Sequence, residues 1–124
     1  MEMPTINLDA ISLTADERAL VEPIIANKGK NKGKLRASKP ANAGEAAYVW
    51  RMVAFQISPI PAHHCMPVCA DLDINVPESL SSTDRYHYRR NRAKELGDLA
   101  DKIVNTIPKD EWHGIARWRR AFYG

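Results

Sequence analysis

Metal chemistry is the first possibility the residue types raise. His63, His64, Cys65 and Cys69 lie within seven positions of one another. Neutral imidazoles and thiolates are zinc donors, and two cysteines four apart with an adjoining histidine could furnish three ligands. His87 or His113 could supply a fourth through folding. Structural zinc sites usually present two such halves, and only one stands here. Met66 and Val68 beside the cysteines point instead to burial, where free cysteine behaves as a small hydrophobe. Burial is the leading reading of this cluster, a zinc site the second and a catalytic thiol the last. The zinc-deaminase pattern is excluded: Cys65 occupies the position of the catalytic glutamate, and Cys69 has no second cysteine three residues on. Asp71 and Asp73 could hold Mg²⁺ beside a phosphate, yet the wet face of a strand explains them more simply. No catalytic constellation emerges. The chain reads as a non-enzymatic protein without a cofactor, zinc being the one candidate.

Phosphate binding is better served. Residues 28–39 contain Lys28, Lys30, Lys32, Lys34, Arg36 and Lys39 and no acid. Those six charges exceed the net +3 of the whole chain, so the remainder is net negative by three. Gly29 and Gly33 let the backbone approach a bound anion closely. Arg85, Arg89, Arg90, Arg92 and Lys94 make a second basic group, in which Arg85, Arg89 and Arg92 share one helical face. Tyr86, His87 and Tyr88 among them could stack on unpaired bases. Arg117, Arg119 and Arg120 form a third group beside Trp118, a composition suited to a protein interface or a homodimer contact. The plain alternative for each patch is a solvated face that keeps the protein soluble.

These groups need elements to position them. The longest nearly unbroken apolar run is Glu45–Ser58, with Arg51 its only internal charge. Its length and alanine-rich start favour a central helix over a strand, with Ala47, Trp50, Ala54 and Ile57 on one side. Thr14 and Glu17 fit a capping box for a first helix over residues 15–27, which Pro23 should kink or break. Residues 1–13 read as an extended arm that Ile6, Leu8, Ile11 and Leu13 could anchor or turn into an edge strand. Residues 28–40 read as a flexible basic loop. Residues 68–74 alternate well enough for a short strand.

A long helix is expected from about residue 84 to 106, with Ser82 or Thr83 as N-cap. Ala93, Leu96, Ala100, Ile103 and Ile107 form its apolar stripe. Pro108 ends it and opens a last helix carrying Trp112, Trp118 and Phe122.

One domain fits the length of 124 residues, and 44% apolar with 27% charged residues is ordinary for a globular protein. The expected architecture is mainly α, a bundle of three to four helices around residues 45–58 with at most a small β element. No apolar window reaches the length of a membrane span, and the N-terminus has no signal-peptide pattern, so a cytoplasmic location is expected. The leading functional expectation is binding of a polyanion, nucleic acid first, through residues 28–39 and the Arg85–Lys94 helix. The alternative is an acidic protein partner for the Trp/Arg C-terminal segment.

Overall fold

The computed structural model describes residues 4–36, 40, 44–57, 71–72 and 76–108. Helix α1 (Ala15–Val21) opens with the capping box its sequence predicts. The Thr14 hydroxyl accepts from the Glu17 N–H at 3.1 Å, and the Glu17 carboxylate accepts from the Thr14 N–H at 3.0 Å. Two of the unpaired donors at the helix start are thereby satisfied. Pro23 cannot donate to the α-helical ladder, so the chain continues as a 3-10 turn, Glu22–Ile24, with the proline at its start. The helix expected over residues 15–27 is thus broken at the proline.

Beyond that turn the backbone doubles back. Ile25 and Leu35 form an antiparallel bridge, and Thr5 bridges Lys34 on the opposite side. The Ala26 N–H donates to the Lys34 carbonyl and the Arg36 N–H to the Ile24 carbonyl, each at 2.9 Å. Across the other edge, the Leu35 N–H donates to the Pro4 carbonyl and the Ile6 N–H to the Gly33 carbonyl, also at 2.9 Å. The N-terminal arm is anchored both ways: its backbone pairs with residues 33–35, and Ile6 and Ile11 are buried. Among the described residues these bridges are the whole β content, and no strand forms.

Helix α2 (Glu45–Ile57) is the centre of the molecule. Ala46, Ala47, Val49, Trp50, Val53, Ala54 and Ile57 are all buried, which at 100° per residue covers about half of its circumference. The Trp50 indole donates to the Arg36 carbonyl at 2.9 Å, which ties the end of the basic segment to the core. Helix α3 (Ser82–Thr106) packs against α2 through Leu96, Leu99, Ala100, Ile103 and Val104. Its cap is Ser81, one residue ahead of the expected pair, with the side chain accepting from the Asp84 N–H at 3.2 Å. Ser81 fits because it is the last extended residue before the helical dihedrals begin.

The two long helices run in the same direction. Glu45 meets Arg92, a Cβ on Gly97 would lie 3.5 Å from the Met52 terminal methyl, and Gln56 donates to Asp101 at 3.4 Å. Residue numbers rise together on both. The arrangement among the described residues is a bundle of three helices.

The strand expected over residues 68–74 fails at the two positions described there, because Asp71 and Leu72 have helical backbone. Alternation would send these neighbours to opposite faces. Both are buried instead, Leu72 in the core and Asp71 through an ion pair with Arg51 at 2.9 Å. The remainder of that stretch, and the expected last helix, lie outside the described residues.

Candidate functional site

The hairpin-like excursion presents the first basic group. Lys28, Lys30 and Lys32 surround a 3-10 turn, Gly29–Asn31, and all three are exposed. Gly29 and Gly33 bracket the turn with φ of 71° and 85°. An added Cβ at either would meet nothing within 4 Å, so it is the left-handed backbone that calls for glycine there. Lys34 and Arg36 are half-buried, since their backbones pair with the arm and with Ile24. Lys39 lies outside the described residues. The lysine tip therefore stands on a hydrogen-bonded base.

Helix α3 presents the second group, divided differently from the sequence expectation. Arg85, Arg89 and Arg92 do share a face, but it is the half-buried one. The Arg85 guanidinium donates to the carbonyls of Leu80 at 3.2 Å and Glu78 at 2.9 Å, folding the preceding turn onto the helix. The Arg92 guanidinium donates through two nitrogens to Glu45, its Nη2 lying 2.9 Å from Oε1, and through a third to Glu95 at 2.7 Å. Glu45 is 6% exposed, so this pair closes the junction between α2 and α3. Hydrogen bonding from Glu45 holds Arg92 above arginine's usual pKa, with partial burial opposing and Glu95 adding to it.

The exposed side of the same stretch carries Tyr86, His87, Arg90 and Lys94. The signal for this division was present in the sequence. Stepping back from Leu96 by four, seven and eleven residues reaches Arg92, Arg89 and Arg85, so these arginines continue the apolar stripe.

Arg90, Lys94 and the three tip lysines share one property. Among the described residues none of the five forms an ion pair or a side-chain hydrogen bond. Arg18, Arg51, Arg92 and Lys102 are all paired with carboxylates.

A groove of about 450 Å³ between α1 and α3 has the opposite character, flanked by Asp16, Glu17, Glu95 and Asp98. At its edge the Lys102 ammonium lies 3.2 Å from the Glu17 carboxylate. The Thr14 backbone N–H, and after it Lys102, hold the Glu17 carboxyl below its ordinary value despite some burial.

The metal candidates His63, His64, Cys65 and Cys69 and the contact candidates Arg117, Trp118 and Arg120 lie outside the described residues. Among the described residues no group of three or more His, Cys, Asp or Glu side chains could hold a metal ion. No described helix is long and apolar enough to cross a membrane. Comparison of the chain with protein-family models, with curated proteins and with solved structures finds no match.

Proposed function

We propose that this is a small non-enzymatic binding protein for a polyanion, nucleic acid first. Lys28, Lys30 and Lys32 at the hairpin tip and Arg90 and Lys94 on α3 are its phosphate contacts. One observation carries the reading: these five cations are exposed and without a carboxylate partner among the described residues. A paired cation must give up its own acid to meet a phosphate. An unpaired one releases only counterions from the nucleic acid, which is favourable. Residues 85–94 are also free of acid in sequence, as are 28–39, so no carboxylate lies within either stretch.

The test is fluorescence anisotropy of labelled single- and double-stranded DNA and RNA, titrated with the protein at about 50 and 200 mM salt. Each neutralised phosphate contributes a slope of roughly 0.7 on single strands and 0.9 on duplex. Five contacts then predict an affinity loss of roughly 100-fold on single strands and 500-fold on duplex across that range. Absence of binding at the lower salt would overturn the reading.

A further inference from the structure

Tyr86 is 58% exposed and is the exposed large hydrophobic residue among those described. It stands in the ten residues of α3 that precede the Glu45–Arg92 contact, about 15 Å of helix ahead of the start of α2. At 100° per residue, Arg90 lies 40° and Lys94 80° around the helix from Tyr86, with His87 at 100°. The four make one stripe, all exposed, with Tyr86, Arg90 and Lys94 rising about 6 Å per step. The Tyr86 and His87 rings meet edge to face, with centroids 5.5 Å apart and planes at 70°. That contact steadies the phenol while leaving it in solvent.

We infer that this stripe is a stacking platform for single-stranded nucleic acid: Tyr86 receives an unpaired base, and Arg90 and Lys94 neutralise the phosphates beside it. The inference rests on the polyanion reading above and narrows it to strands with accessible bases. An aromatic ring offers nothing to a phosphate but offers every unpaired base a face, and a cation beside it holds the strand in place. A duplex keeps its bases stacked on one another and leaves Tyr86 idle. The same charges without the ring would suit any polyanion; the exposed ring within the charge stripe is what points to unpaired bases.

Full-length protein is titrated at about 50 mM salt into three labelled probes: a twelve-residue oligothymidine, an abasic strand of the same length, and a duplex. Wild type is expected to prefer oligothymidine to the abasic strand. Tyr86→Ala should weaken oligothymidine binding about tenfold, within the range for loss of one stacked base, and leave abasic binding unchanged. Tyr86→Trp should retain or strengthen it. The residue is exposed, so these variants keep the fold, which circular dichroism verifies. Equal binding of oligothymidine by wild type and Tyr86→Ala, or equal losses on both single strands, overturns the platform and leaves the polyanion reading standing. No binding of any probe by wild type overturns both.

Discussion

Arg92 holds two carboxylates at once, and the two ends of its pair with Glu45 are not equivalent. Glu45 is 6% exposed, whereas the Arg92 side chain is 28% exposed and keeps Glu95 whatever happens to Glu45. Arg92→Ala therefore strips a buried carboxylate of its bidentate guanidinium, while Glu45→Ala leaves a cation that can still reach Glu95 and water. Removing one partner of a buried pair costs about 3–5 kcal/mol, and partial exposure here lowers that. Arg92→Ala should cost about 2–4 kcal/mol in urea unfolding, and Glu45→Ala less. Equal losses would show that the two ends of the pair are equivalent.

Glu17 gives a pH dependence with a definite sign. Its pKa in the folded protein lies below the ordinary 4.5, so its contribution is present above that value and is lost as pH falls through the folded one. Glu17→Gln removes the charge but keeps an acceptor for the Thr14 N–H. Compared at about pH 6 and pH 3, the variant should lose less stability on acidification than the wild type. Identical pH profiles would refute the assignment.

Among the elements, those governed by neighbours in sequence were legible and those governed by distant partners were not. The Thr14–Glu17 box, the break at Pro23, the helical character of residues 45–57 and the stripe from Leu96 to Ile107 all depend on spacings of three or four residues. Those spacings are visible in a string of letters. The parallel course of α2 and α3 is not, because it depends on Glu45 finding Arg92, 47 positions away. Nor is the pairing of the arm with residues 33–35, which one isolated bridge and two backbone bonds secure. At Asp71 and Leu72 a local pattern misled: alternation suggested a strand, and an ion pair to Arg51 put consecutive residues on the buried side. The arginine face of α3 is legible in the sequence, and its half-buried placement follows from its register with Leu96.

Gly97 belongs to the same scale. It lies inside a long helix, and a methyl group there would meet the end of the flexible Met52 side chain at 3.5 Å, an ordinary contact. Gly97→Ala should therefore stabilise the protein by about 0.5–1 kcal/mol through helix propensity and a less disordered unfolded chain. Thr14→Ala should do the reverse by about 1 kcal/mol, because the Glu17 N–H loses its side-chain acceptor. Thermal unfolding of the two single variants against wild type reads both signs.

At the scale of the whole molecule, the charges fall into two classes that perform separable tasks. Those of Arg51, Arg92 and Lys102 are spent internally against Asp71, Glu45 and Glu17. Those of Lys28, Lys30, Lys32, Arg90 and Lys94 face solvent without such partners among the described residues. Neutralising the second class with glutamine takes the formal charge from +3 to −2 and removes no described ion pair. Exposed substitutions of this kind each change stability by no more than about 0.5 kcal/mol, so the five-fold variant should unfold close to wild type. Its binding to any nucleic acid should nonetheless vanish at about 50 mM salt, and the three tip lysines alone should flatten the duplex salt slope by about 2.7. Arg92→Ala predicts the opposite pair of results: a large loss of stability, with the salt slope of the folded fraction unchanged. Full binding by the five-fold variant would move the contact surface elsewhere, with Arg117, Arg119 and Arg120 the next cations to neutralise. A common fall in binding and stability would mean that these side chains serve the fold and not a partner.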